Sequence, residues 1–138
     1  MENFYLAIRG DILTIGVNLL RTTMNEANDL RNLLEEQIVF GHTKIVVDLS
    51  QCTHLDSTFI GVLVVNQKKL KVKDGELKLV EPLDSAKELF YLTGISSVFN
   101  NFETAEDALI SFNNGIEQLP ELKPEEVIPK QKTEWAFA

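Results

Sequence analysis

The sequence has little of what disulfide-bonded, metal-binding and nucleic-acid-binding proteins need. Its one cysteine, Cys52, cannot form an intramolecular disulfide, and such usage is typical of a reducing compartment. Cys52 with the two histidines, His42 and His54, falls short of the four ligands of a usual zinc site. The 13 Lys and Arg residues are outnumbered by 21 Asp and Glu residues, which gives a net charge of -8. We therefore expect neither nucleic acid nor an anionic membrane surface among the partners.

Long apolar runs and glycine-rich loops are also missing. No apolar run reaches the length of a membrane span, and the first residues lack the basic and apolar regions of a signal peptide, so we expect a cytoplasmic protein. Gly61 and Gly75 are isolated, so no phosphate loop or dinucleotide fingerprint is present. A Gly-x-Ser-x-Gly elbow is absent too. The sequence predicts a protein that is not an enzyme and has no cofactor and no metal site; an acidic Mg²⁺ site at Asp48 and Asp56 is the alternative.

Hydrophobic periodicity predicts strands that alternate with helices. The predicted strands are 4–9 and 12–17, joined as a hairpin by Gly10-Asp11, then 44–49, 76–80 and a short Val98-Phe99. The predicted helices are 23–40, 58–73, a short one that ends at Gly94, and 104–112. Thr23 with Glu26, and Ser85 with Glu88, have the spacing of a capping box at a helix start.

The predicted order of elements is β-β-α-β-α-β-α-(β)-α, which indicates a single α/β domain. Its sheet would be mixed, mostly parallel, with four to five strands and about four helices. We place the domain at residues 1–116. Residues 117–138 contain three prolines and five Glu against three Lys, so we expect an acidic tail that does not order itself alone. The tail ends in the aromatic stretch Trp135-Ala136-Phe137-Ala138.

The stretch "VVDLSQCTHLDSTFIGVLVV" places two adjacent hydroxyls between two apolar segments. Asp56, Ser57 and Thr58 are residue types that start helices, and a cap of this kind is worth about 1 kcal/mol. A second interpretation is a phosphorylation site, because a phosphate at a helix N-terminus meets free N–H groups and the positive end of the helix dipole. The residues alone leave both interpretations open.

The same stretch resembles the STAS-domain anti-sigma factor antagonists. The similarity runs through Asp48, Leu49, Ser50, Asp56-Ser57-Thr58 and Gly61. It continues in "GELKLVEPLDSAKELFYLTGISSVFNNFETAEDAL", which is similar to the family's strand, helix, Thr-Gly-Ile/Leu step, phenylalanine-bearing strand and final helix. The resemblance covers about residues 4–112. One departure is Phe59, which stands where the family often has glycine; we expect its large side chain to crowd the phosphorylation site.

The resemblance implies a partner switch with named residues and partners. Ser57 would be the phosphoacceptor, with Thr58 as the alternative, and Asp56 would orient the hydroxyl. The unphosphorylated protein would bind an anti-sigma factor that is a serine kinase of the histidine-kinase-like ATPase fold. Phosphorylation would release it, and a PP2C-type phosphatase would reverse the modification. The implied partner-binding residues are Asp48, Ser50, Thr58, Phe59, Ile60 and Val62.

Other functions remain open from the sequence. The domain could be a constitutive STAS interaction module that phosphorylation does not control, or a ligand-binding domain. The oligomeric state does not follow from the sequence.

Overall fold

A computed structural model describes residues 3–113 of the chain. The predicted tail, residues 117–138, and its boundary lie outside these residues. The five strands are β1 Phe4–Arg9, β2 Ile12–Val17, β3 Lys44–Asp48, β4 Glu76–Val80 and β5 Asn101–Phe102. The α-helices are α1 Met24–Val39, α2 Ser57–Val72, α3 Asp84–Leu92 and α4 Ala105–Phe112, and a 3₁₀ turn spans Ile95–Ser97.

The strands form one mixed sheet in the order β1-β2-β3-β4-β5. β1 pairs with β2 as an antiparallel hairpin, and the pairs β2–β3, β3–β4 and β4–β5 are parallel. The predicted α/β class, strand number and mostly parallel pairing are therefore confirmed. The carboxyl ends of β3 and β4 lie at the same edge of the sheet, and the chain leaves β3 there to reach α2.

Apolar side chains cover both faces of the sheet. The larger core joins one sheet face to α1, α2 and α3, and α4 covers a smaller cluster that includes Ile12, Val46 and Val80. β2 is buried along its whole length, as expected of a central strand covered on both faces. The predicted helix face of α2 is confirmed, because Phe59, Leu63 and Leu70 have no exposed surface.

One of the two predicted capping boxes is confirmed and the other is wrong. The Thr23 side chain accepts from the N–H of Asn25, while the Glu26 carboxylate accepts from the N–H of Thr23 at 2.8 Å. α3 begins at Asp84 after Leu83, which makes no side-chain cap. The Ser85 hydroxyl instead donates to the carbonyl of Thr53 at 3.0 Å. The Ser85 hydroxyl therefore makes a tertiary contact in place of the helix cap that its spacing predicted.

The predicted strand at Val98-Phe99 is wrong by a few residues. Gly94 adopts φ +79° and ends α3 as predicted, but the chain then winds through the 3₁₀ turn Ile95–Ser97. Phe99 is buried against the larger core. The last strand therefore starts only at Asn101, beside β4.

Candidate functional site

The segment Asp56-Ser57-Thr58 forms the start of α2. Asp56 is the N-cap, and its Oδ2 accepts a hydrogen bond from the N–H of Thr58 at 2.8 Å. Ser57 is the first helical residue, and Ser57 and Thr58 are both exposed. Within residues 3–113, the N–H groups of Ser57 and Phe59 have no hydrogen-bond partner. An exposed hydroxyl therefore stands beside free donors at the positive end of a sixteen-residue helix.

The loop that leads into this helix is held from both sides. On one side the Thr22 hydroxyl accepts from the N–H of Asp56 at 2.9 Å, and the N–H of Thr22 donates to the carbonyl of His54 at 3.1 Å. On the other side the N–H groups of Leu83 and Ala86 donate to the carbonyls of Cys52 and Thr53, at 2.9 and 3.0 Å. These long-range bonds fix the position of Ser57 relative to both α1 and α3.

Asp48 and Ser50 lie where β3 passes into this loop. The Oδ1 of Asp48 accepts from the N–H of Ser50 at 2.9 Å, and both residues are half-buried. The same turn joins the neighbouring strand, because the N–H of Leu49 donates to the carbonyl of Val80 at 3.1 Å. Asp48 and Ser50 therefore shape the loop, and their predicted contact with a partner stays a prediction.

The predicted roles of Phe59 need correction. The Phe59 side chain is wholly buried in the core, because residues two apart on a helix point to nearly opposite sides. Its ring therefore does not crowd the Ser57 hydroxyl, and it offers no surface to a partner. Ile60 is 6% exposed, and Val62 is half-buried against the core. Of these three predicted contact residues, Ile60 alone lies beside Ser57 in the groove described next.

An apolar groove opens beside Ser57, between α2 and the chain around the end of α3. Its volume is about 450 Å³. Apart from Ser57 and Thr93, its lining residues are aliphatic or glycine, and the lining surface is almost entirely apolar. The lining residues are Ser57, Ile60, Gly61, Val64 and Val65 from α2, with Leu89, Thr93 and Ile95 opposite. We call this the α2–α3 groove.

Most of the groove was missed by the sequence prediction, although one signal was present. The first half of α2 is apolar on nearly all sides, which exceeds what one sheet face can cover. Val65 is indeed half exposed, at 50%. The opposite wall comes from Leu89, Thr93 and Ile95. These residues are more than 30 positions after Ser57 in the sequence, so only the folded chain shows that they face it.

Metal and membrane features are limited in the described part of the chain. Among residues 3–113, no three His, Cys, Asp or Glu side chains are grouped closely enough to hold a metal ion. The carboxylates of Asp48 and Asp56 each accept a main-chain hydrogen bond in their own turns. Over the same residues, the helices are too short or too polar to cross a bilayer.

Cys52 lies in the same loop and is fully buried. Burial, with a smaller contribution from the charge of Asp48, raises the pKa of the Cys52 thiol from 9.0 to about 12. The thiolate is the reactive form of cysteine. The folded protein therefore keeps this thiol protonated and unreactive at neutral pH.

This burial predicts a pH dependence of stability that Cys52→Ala should remove. The folded state holds the thiol proton to a higher pH than the unfolded chain does, so the contribution is complete below pH 9.0 and is lost as the pH rises towards about 12. We expect wild type to lose stability relative to Cys52→Ala by roughly 1.4 kcal/mol for each pH unit in that window. Urea unfolding of both proteins under reducing conditions measures it. A constant difference across the window would show that the thiol is not shielded.

The fold is that of the small α/β domains found in anti-sigma factor antagonists. SpoIIAA of Bacillus in its unphosphorylated form has a TM-score of 0.70 at 18% identity, covering 80% of this chain and 96% of SpoIIAA. Its phosphorylated form has a TM-score of 0.63 at 18% identity, with 79% and 98% covered. An anti-sigma factor antagonist from Mycobacterium paratuberculosis gives 0.70 at 21% identity, with 78% and 91% covered.

Sequence comparison places the chain in a family. The family model for the STAS domain matches residues 8–108, and the chain belongs to the STAS domain family. It is also 28% identical over 99 residues to BtrV of Bordetella bronchiseptica, provisionally assigned as an anti-sigma factor antagonist, with 70% of this chain and 85% of BtrV covered. The resemblance stated from the sequence is confirmed at this level.

Proposed function

We propose that this protein is an anti-sigma factor antagonist whose binding is switched by phosphorylation of Ser57. Unphosphorylated, it binds an anti-sigma factor that is a serine kinase of the histidine-kinase-like ATPase fold. Phosphorylated, it releases that partner, and a PP2C-type phosphatase restores the binding state. The observation that carries the proposal is the exposed Ser57 hydroxyl at the start of α2, on the edge of the α2–α3 groove.

The α2–α3 groove supports the binding half of the proposal. Its lining is almost entirely apolar, and the anchor side chains of a partner protein typically fill desolvated pockets of this kind. Burying such side chains next to α2 would enclose the neighbouring Ser57 hydroxyl. Enclosing this small polar group costs little free energy when the partner accepts its hydrogen bond.

Phosphorylation of Ser57 would make binding of the partner in the groove unfavourable. A phosphate adds about -1.5 to -2 charges, and enclosing such a group in an apolar interface costs far more than enclosing a hydroxyl. The free N–H groups at the start of α2 would meanwhile donate hydrogen bonds to the phosphate within the folded domain. The domain would keep its fold while its surface changed.

The similar proteins are consistent with this switch. SpoIIAA has been solved in an unphosphorylated and in a phosphorylated form on the same fold. BtrV, the relative from Bordetella bronchiseptica, carries the same functional assignment as SpoIIAA. Both lie at low identity, so the proposal depends on the local geometry of Ser57 in this chain.

A paired capture from native lysate tests the proposal. Wild type and Ser57→Asp serve as baits, and mass spectrometry reads the retained proteins. We expect wild type to retain a histidine-kinase-like ATPase and Ser57→Asp to retain it at least about tenfold less, which corresponds to about 1.4 kcal/mol. Ser57→Ala removes the hydroxyl without adding charge and should retain the partner.

A matched control separates a local effect from a general charge effect. Asn25 is exposed in the first turn of α1, so Asn25→Asp places the same charge at the start of a different helix. It should bind as wild type does. If Ser57→Asp captures the same ATPase as wild type in equal amount, the constitutive interaction module becomes the better description.

A further inference from the structure

The α2–α3 groove has the shape and chemistry to hold the aromatic end of this chain's own tail. We propose that Trp135 and Phe137 dock in the groove, so that the tail covers the surface beside Ser57. This inference goes beyond the phosphorylation switch and does not need it, because it concerns an intramolecular contact. Three observations carry it: the apolar lining, the pattern of the tail, and the position of a free cation.

The groove needs an apolar occupant of limited size. Its volume is about 450 Å³ and aliphatic groups dominate its walls. Nearby, Leu89 is 36% and Leu92 is 78% exposed. A tryptophan or phenylalanine buries about 150–250 Å² when it docks, so one or two rings suit this cleft.

The tail supplies two rings in a suitable pattern. Trp135 and Phe137 are separated by the small Ala136 and followed by Ala138. Alternate side chains of an extended chain point to the same side, so both rings can enter one groove while the alanines face away. The rest of the tail has aliphatic residues scattered among polar and acidic ones, and no other tryptophan, tyrosine or phenylalanine follows residue 113.

The length of the connecting chain permits the contact. Residues 114–134 separate Asn113, at the end of α4, from Trp135. A chain of that length spans roughly 25 Å as a coil and roughly 70 Å when extended. A domain of this size has a radius of gyration of about 13 Å. The tail can therefore reach the groove although α4 lies on the opposite face of the sheet.

The charges beside the groove and beside the rings of the tail are complementary. Lys68 follows Val64 and Val65 by about one turn on the same side of α2, and it is exposed. Over residues 3–113 it takes part in no ion pair. Glu134 directly precedes Trp135, so docking of the rings would bring a carboxylate towards this ammonium. The pair would orient the segment along the groove.

The single tryptophan of the chain makes the proposal measurable. In the purified full chain we expect Trp135 emission to be blue-shifted, and acrylamide quenching to be several-fold weaker than for N-acetyltryptophanamide. Both values should be independent of protein concentration, because the contact is within one chain. A tryptophan quenched as freely as the model compound would overturn the proposal.

A groove-filling variant localises the contact. A side chain added at Gly61 meets no heavy atom within 4 Å, and replacing a glycine inside a helix favours the helix by up to about 1 kcal/mol. Gly61→Gln should therefore fold and block the groove, which would raise quenching of Trp135 several-fold. Val72→Gln adds the same side chain at an 85% exposed site near the end of α2 and should leave quenching unchanged.

The remaining outcomes decide against the proposal in distinct ways. Protection of Trp135 that survives Gly61→Gln means that the tail docks elsewhere. Protection that appears only at high protein concentration means that the groove of a second copy is the site. Neither result concerns Ser57, so failure here leaves the phosphorylation switch standing. If both ideas hold, deleting residues 133–138 should increase capture of the kinase, because the tail and the kinase would compete for one groove.

Discussion

Alanine at Ser57 is expected to abolish phosphate incorporation into this protein, whereas alanine at Thr58 leaves it largely intact. Both hydroxyls are exposed at the start of α2, so exposure does not separate them. The α2–α3 groove distinguishes the two residues, because Ser57 lines it and Thr58 does not. A kinase that docks in the α2–α3 groove would therefore bring its nucleotide closest to Ser57.

The two alanine variants are well matched for this comparison. The helix cap is made by the Asp56 carboxylate and the main-chain N–H of Thr58, so both substitutions leave it in place. Neither hydroxyl is a hydrogen-bond partner of another side chain in the described part of the chain. Each variant should therefore unfold within about 0.5 kcal/mol of wild type, as surface substitutions usually do.

The measurement uses the kinase captured by wild-type protein, labelled ATP and phosphopeptide mapping of each variant. Loss of label in Ser57→Ala with retention in Thr58→Ala supports the assignment. The reverse pattern would identify Thr58 as the acceptor. Absence of label in wild type, with the captured kinase active on another substrate, would indicate a module that phosphorylation does not control.

Replacing Phe59 with alanine is expected to destabilise the domain by about 3–5 kcal/mol. The ring has no exposed surface and belongs to the core between the sheet and the helices. Its removal leaves a cavity, and the surrounding chain collapses into it only in part. A domain of this kind is stable by about 5–15 kcal/mol in total, so the loss is a large share.

Urea unfolding measures this loss as a lower midpoint at an unchanged slope. Phe59→Leu fills most of the same volume, so its cost should be smaller and the variant should remain folded if Phe59→Ala does not. With the fold retained, Phe59→Leu should capture partners as wild type does. Weak destabilisation combined with lost partner binding would mean that the ring faces a partner after all.

These two predictions separate neighbouring residues by the physical role of each side chain. Position 57 changes recognition and leaves stability nearly constant, while position 59 changes stability and leaves recognition constant in any variant that folds. Their difference arises from the helix, in which side chains two positions apart point to nearly opposite sides.

Much of the fold could be predicted from local sequence patterns, because interactions between residues close in sequence set where helices and strands begin and end. The capping box at Thr23 and Glu26, the glycine at position 94 and the period of Phe59, Leu63 and Leu70 each involve residues a few positions apart. The alternation of strands with helices then restricts the sheet to mostly parallel pairing. The order of elements and the start of α2 follow from that level of information.

The errors lie where distant contacts compete with local preference. Ser85 has cap spacing but bonds to Thr53, a residue 32 positions away. The last strand starts later than expected because the chain first winds through the 3₁₀ turn and then buries Phe99 in the larger core.

The sequence by itself determined the fold class, a helix that follows the cap residues Asp56-Ser57-Thr58, and the resemblance to the family, because these depend on local spacing and order. The tertiary structure decided which hydroxyl borders an apolar groove, that Phe59 is core, and that Thr22 and Leu83 hold the loop before α2. Those features join segments some 30 residues apart. Their positions are set by packing of the whole core, which no local pattern encodes.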